Sequence, residues 1–138
     1  MTNFSKYINI KYVHQGESLS GCDCYGLIKL IFKTEKGINL PDYEYSSEWY
    51  QEGKNYITEN VEKLSHWLKV RYPEKPFDVI FFYQTPARII VNHIGLYIDD
   101  DKFIHISELY KSRIDRLTPH WVNRIYHTIR YQKVDVNG

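Results

Sequence analysis

Two residue types in this chain could do covalent chemistry together: the thiol of Cys24 and the imidazole of His93. Cys24 lies in Gly21-Cys22-Asp23-Cys24-Tyr25-Gly26-Leu27, where a polar, glycine-containing stretch gives way to apolar residues Leu27, Ile28, Leu30 and Ile31 at helical spacing. Asp23 therefore reads as the N-cap and Cys24 as the first helical residue. A helix N-terminus favours thiolate over thiol and offers unpaired N–H groups to a developing oxyanion. His93-Ile94-Gly95-Leu96-Tyr97-Ile98, with the pattern of a buried strand, supplies the base that a Cys-His nucleophile requires. In that reading His93 takes the thiol proton to give a thiolate-imidazolium pair, then protonates a leaving amine. Each residue also has a plainer reading: a buried cysteine is usually an inert small hydrophobe, and a lone inward histidine a hydrogen-bonded core residue.

Positioning these groups takes a helix and a sheet. The segment from Asn3 to Ile10 reads as a short helix capped by Asn3, with Phe4, Tyr7 and Ile8 on one face. His14 to Gly21 reads as loop, and the helix from Cys24 runs to Gly37, a natural stop. Leu40-Pro41-Asp42 is a turn, and Ile57, Val61, Leu64 and Leu68 carry a helical rhythm within 46–68. Beyond Pro73 and Pro76 the composition turns β-branched and aromatic, with strands expected near 78–83, 89–98, 102–107 and 124–132. Asp99-Asp100-Asp101 is the tight turn between the second and third of these. Helices followed by an antiparallel sheet make an α+β fold, with the nucleophile's helix packed on the sheet.

The chain resembles the NlpC-type cell-wall cysteine peptidases, a papain-like family that cuts peptidoglycan stem peptides. Tyr12, Gly16, Gly21, Asp23, Cys24 and Gly26 match its Tyr and Asp-Cys-x-Gly motif; His93, Gly95 and Tyr97 match its His-x-Gly-x-Tyr strand. Phe103-Ile104-His105 falls where the family carries a third polar residue, and Leu40-Pro41 and Asp78-Val79-Ile80-Phe81-Phe82 resemble its Leu-Pro turn and its Gly-Asp-aliphatic-x-Phe strand. Phe77 stands where the family usually has Gly, and Tyr25 where cellular members usually have Ser; phage-encoded members often carry a large aromatic there.

The resemblance implies a papain-like fold over a single domain, 1–138. It implies catalytic roles for Cys24, His93, His105 and Tyr12. His105 would accept or donate at the far nitrogen of His93, and Tyr12 would orient the site or donate toward the oxyanion. Asp23, chiefly a cap, is also a candidate contact for the stem peptide. Tyr25 is a candidate wall of the substrate cleft, or else it packs in the core. The implied reaction is hydrolysis of the D-glutamyl γ-amide to the diamino acid, through a thioester and without cofactor or metal, in a phage tail that opens the wall. Cys22 has no assigned role. His14, His66, His120 and His127 read as surface or packing residues, and Tyr43, Tyr45, Trp49 and Tyr50 as core and cleft wall more than a glycan platform.

Composition narrows the alternatives. With 138 residues, 43% of them hydrophobic, the chain can build one core but not two ordinary domains. Its 18 basic and 17 acidic residues give no electrostatic case for a nucleic-acid partner. No run of about eighteen apolar residues supports membrane insertion. Met1 to Lys6 lacks an apolar signal region, so the product is expected to be made in the cytoplasm and to leave in a virion or at lysis. The two cysteines, one residue apart, make a poor disulfide. Other readings remain: a structural tail-assembly protein with little hydrolytic activity, and a zinc module built from Cys22, Cys24, His93 and His105, whose Cys-x-Cys spacing is less usual than Cys-x-x-Cys.

Overall fold

The apolar stripe after Asp23 forms helix α1, Cys24–Ile31, in the computed structural model, which describes residues 3–40, 67–83, 87 and 91–132. Its buried face, Cys24, Leu27, Ile28 and Ile31, follows the three-four spacing of the sequence. The helix widens into a π-helical turn, Phe32–Lys36, and stops at Gly37, whose φ of 67° is the left-handed conformation that glycine adopts without strain. Upstream, the expected N-terminal helix is a single 3-10 turn, Ser5–Tyr7, with Asn3 Oδ1 accepting the Ser5 N–H at 2.9 Å. The expected loop 14–21 contains a small hairpin, β1 (Glu17–Ser18) against β2 (Gly21–Cys22).

The remaining strands are β3 (Trp67–Val70), β4 (Val79–Tyr83), β5 (Val91–Asp99), β6 (Lys102–Ser107), β7 (Tyr110–Arg116) and β8 (Ile125–Tyr131). They form an antiparallel sheet in the order β3-β8-β4-β5-β6-β7. Leu68, expected in a helix, lies in β3; Ile57, Val61 and Leu64, the Leu40-Pro41-Asp42 turn beyond Leu40 and the aromatic group from Tyr43 to Tyr50 fall outside the described residues. The β5–β6 turn is tight as expected, with positive φ at Asp100 and Asp101.

Both faces of the sheet's centre are covered. On one, Val79, Phe81, Ile94, Leu96, Ile104 and Ile106 join the buried residues of α1 and the N-terminal Phe4, Tyr7 and Ile10. On the other, Ile80, Phe82, Tyr97 and Phe103 pack with Leu117, Ile125 and Trp121, the last on the short helix α2, Pro119–Val122. Phe77 has φ of 75°, which accounts for a glycine preference at this position. Its ring is held by Phe4 and Phe32 at centroid distances of 5.8 and 5.5 Å. The next residue, Asp78, is fully buried and takes two hydrogen bonds from Arg130, at 2.7 and 2.9 Å. Among the described residues, no helix is long and apolar enough to cross a membrane.

Candidate active site

Asp23 caps α1 as the sequence implies. Its Oδ1 accepts the Gly26 N–H at 2.6 Å, and its Oδ2 accepts the Gln15 N–H at 2.7 Å, tying the preceding turn to the helix start. The glycines of this motif answer to close backbone approach: a Cβ on Gly26 would stand 1.7 Å from the Gly16 carbonyl oxygen. Tyr12 joins this unit through a parallel bridge to Cys22, framed by the Val13 N–H to Cys22 carbonyl bond at 2.9 Å. Cys22 is fully buried, and its thiol donates to the Ser18 carbonyl at 3.1 Å. Both cysteines are free thiols.

Cys24 is buried at the start of α1. Burial pushes its thiol pKa up, the Asp23 carboxylate adds to the rise, and the backbone N–H groups of Tyr25, Ile94 and Cys24 itself offset only part of it. The free protein thus holds a neutral thiol, where helix position alone predicts thiolate. The Ile94 N–H brings the thiol against β5 one residue beyond His93.

His93 and His105 form a pair, His93 Nε2 to His105 Nδ1, at 2.8 Å. Their neighbours in sequence, Ile94, Ile104 and Ile106, belong to the face packed on α1. The rings themselves stand with the other face, 6.0 and 4.9 Å from the Trp121 ring. Gly95, between His93 and Tyr97, is required because a Cβ there would lie 2.9 Å from the Phe103 ring and 3.2 Å from that of Phe82. Register shifts fall beside both histidines, between Phe82 and Tyr83 opposite β5 and between His105 and Ser107 on β6. Such irregularities re-aim side chains at strand ends. Among the described residues no hydrogen bond joins the Cys24 thiol to His93, and none engages His93 Nδ1.

Burial holds the His93 pKa well below its ordinary value, with His105, Arg124 and Arg113 adding to the effect. Burial likewise pushes His105 down, to about 4, against the Asp115 carboxylate that raises it. Both rings are therefore neutral at pH 7. His105 Nε2 donates to Asp115 Oδ2 at 2.6 Å, and Arg113 Nε donates to the same oxygen at 2.8 Å. The Tyr110 hydroxyl lies 3.2 Å from His105 Nδ1.

Asp115, Arg113, Tyr110 and Trp121 are the surroundings that sequence reasoning missed. Alternation of Tyr110, Ser112 and Ile114 with Lys111, Arg113 and Asp115 is the signal that could have revealed β7, the strand that carries Asp115, Arg113 and Tyr110. Tyr25, expected as a possible cleft wall, is 3% exposed and belongs to the core, with the Lys29 ammonium 5.8 Å from its ring centroid. Asp23 is 1% exposed, its carboxylate occupied as a cap. His120 and His127 lie apart from the pair, against Arg124 and Lys69 respectively. Among the described residues no group of three or more His, Cys, Asp or Glu is arranged to hold a metal.

A model of the NlpC/P60 family matches residues 9–130. The chain belongs to the NlpC/P60 family. Among NlpC/P60 structures, one from Bacillus cereus superposes with a TM-score of 0.63 at 25% identity, over 92% of this chain and 37% of that one. The NlpC/P60 domain of the peptidoglycan hydrolase SagA superposes at 0.58 with 17% identity, over 91% of this chain and 90% of that one, which bears on the fold alone. The chain is 24% identical to the tail tip assembly protein K of Escherichia phage lambda, over 80% of its own length and 54% of that protein. It is 23% identical to the murein DD-endopeptidase MepS/murein LD-carboxypeptidase of Escherichia coli K12, over 90% and 57% of the two. It thus spans little more than half the length of these curated relatives.

Proposed function

We propose that the chain is a cysteine endopeptidase that hydrolyses an amide bond in peptidoglycan stem peptides. The observation that carries this reading is the capped start of α1, where the Cys24 thiol meets the Ile94 N–H, one residue along β5 from His93 and its partner His105. Family membership and similarity to a murein endopeptidase support the substrate class.

His93 Nδ1 accepts the thiol proton as Cys24 Sγ attacks the scissile carbonyl carbon, and backbone N–H groups at the helix start receive the oxyanion. The imidazolium then gives that proton to the departing amine, leaving a thioester on Cys24. Water attacks the thioester, its proton passing to His93, and the carboxylate product leaves with the thiol restored. Because thiol and imidazole are both neutral in the free protein, the proton moves when substrate is bound and the pair tightens. Tyr12, bridged to Cys22, orients the site. Asp23 acts through the helix start it caps. The bond between the D-glutamyl γ-carboxyl and the diamino acid is the proposed target, and a phage tail that penetrates the wall the proposed setting.

Similarity to the lambda tail tip assembly protein K favours a second reading, a tail-assembly subunit with little or no hydrolytic activity. Digestion of purified sacculi with mass analysis of released fragments separates the two. The peptidase reading expects muropeptides cut within the stem by the wild-type chain, no fragments from Cys24→Ala, and no loss of activity with a chelator. Intact sacculi after prolonged incubation with folded wild-type chain would favour the structural role.

A further inference from the structure

Asp115 is a carboxylate on the edge strand β7, joined to the histidine pair through a ring nitrogen that the sequence gives no reason to expect there. An ionised carboxylate can only accept hydrogen bonds. Burial raises the Asp115 pKa, but hydrogen bonds from His105 and Arg113 outweigh it and hold the group below its ordinary value. His105 Nε2, 2.6 Å from Asp115 Oδ2, must therefore carry a proton. A neutral imidazole has one N–H, so His105 Nδ1 is bare and acts as acceptor. His93 Nε2, 2.8 Å away, must then be the donor. The Tyr110 hydroxyl, 3.2 Å from the same nitrogen, donates in the same sense. His93 thus holds its single proton on Nε2, leaving Nδ1 unprotonated.

We propose that Asp115 is a positioning residue that, acting through His105, fixes the tautomer of His93 and so keeps His93 Nδ1 free to accept a proton. Without Asp115 the 2.8 Å bond between the rings can run in reverse, with His105 Nδ1–H donating to His93 Nε2. That arrangement puts the His93 proton on Nδ1, and a nitrogen that carries a proton cannot take one from a thiol. Arg113 Nε, 2.8 Å from Asp115 Oδ2, holds the acceptor in place. The use made of the free nitrogen rests on the peptidase reading; the tautomer itself is a property of the protein without substrate.

The test is long-range ¹H–¹⁵N correlation of the His93 and His105 rings at neutral pH in the labelled full chain. Asp115 has a side chain 28% exposed, so Asp115→Ala opens no sealed core cavity. Wild type is expected to show both rings as Nε2–H tautomers, and Asp115→Ala to lose that single-tautomer signature. Asp115→Asn, whose amide oxygen Arg113 would hold toward His105, is expected to restore it. On a defined stem peptide, Asp115→Ala is expected to lower kcat by at least about ten-fold with KM unchanged, a part of the roughly 10²–10⁴-fold that general acid–base catalysis supplies. Nε2–H tautomers retained in Asp115→Ala, Nδ1–H on His93 in the wild type, or no restoration by Asp115→Asn would each overturn the proposal. The expected tautomer changes in a wild-type chain that leaves sacculi intact would support the role of Asp115 and remove the peptidase reading alone.

Discussion

Asp23 Oδ1 accepts the Gly26 N–H at 2.6 Å, a bond that holds the first turn of α1 and with it the thiol of Cys24. The other carboxylate oxygen holds the Gln15 N–H at 2.7 Å, so the residue joins two segments. Losing an N-cap costs about 0.5–2 kcal/mol, and a part-buried N–H left without its partner adds about 1 kcal/mol or more. Asp23→Ala should lower unfolding free energy by about 2–3 kcal/mol in a urea titration, whereas Asp23→Ser, which keeps an oxygen for Gly26, should lose about half as much. Equal stability for wild type and Asp23→Ala would mean that the cap does not hold the helix start.

Cys24 should be a slow thiol in the free protein. Burial and the Asp23 charge raise its pKa, and only the thiolate alkylates. Labelling of intact chain by iodoacetamide at pH 7 should run at least about ten-fold slower than in the chain unfolded by guanidinium, and it should accelerate steadily into alkaline pH. Rapid labelling at pH 6 with little pH dependence would reveal a preformed thiolate-imidazolium pair instead.

Tyr25 tests whether its bulk is structural. It is 3% exposed in the core. Truncating a buried aromatic costs about 3–5 kcal/mol, so Tyr25→Ser should destabilise the chain by about 3 kcal/mol. Relative catalytic efficiency on short and long stem peptides should stay the same, and a changed ratio in a stable Tyr25→Ser variant would return the ring to the substrate cleft.

Acid should weaken the fold through the histidine pair. In the unfolded chain His105 titrates near 6.5, and in the folded chain burial brings it down to about 4. Between these values the unfolded state binds the additional proton, so this contribution is complete above pH 6.5 and is lost as pH falls toward 4. His93, also shifted down, acts with the same sign. The loss for His105 is on the order of 3 kcal/mol. Urea midpoints at pH 7, 5.5 and 4.5 should fall steeply in wild type and less in His105→Gln; parallel pH profiles would exclude His105 as the source.

What could be read from the sequence was whatever rests on local spacing. Asp23, Cys24 and the three-four stripe define α1, and β4, β5, β6, β8 and the Asp99–Asp101 turn follow from β-branched and aromatic runs between turn residues. Strands β1 and β2 have two residues each and carry no period, and β7 is a polar edge strand whose residues match no motif. The alternation over 110–115 could mark the strand but not the role of Asp115, because its contact with His105 depends on the pairing of β6 with β7 across the sheet. Likewise, the sequence could offer Cys24 and His93 as candidate partners but not foresee that α1 and the histidine rings address different faces of β5.

The most direct measurement of the central claim is hydrolysis of a defined stem peptide by Cys22→Ser and Cys24→Ser, each checked for folding by circular dichroism. Cys22 is fully buried and bonded to the Ser18 carbonyl at 3.1 Å, a contact that a serine hydroxyl can also make. Cys22→Ser is expected to keep most of the wild-type rate, and Cys24→Ser to release no cleaved product by mass spectrometry. A folded Cys24→Ser that still cleaves the peptide, with a folded Cys22→Ser that does not, would contradict that claim.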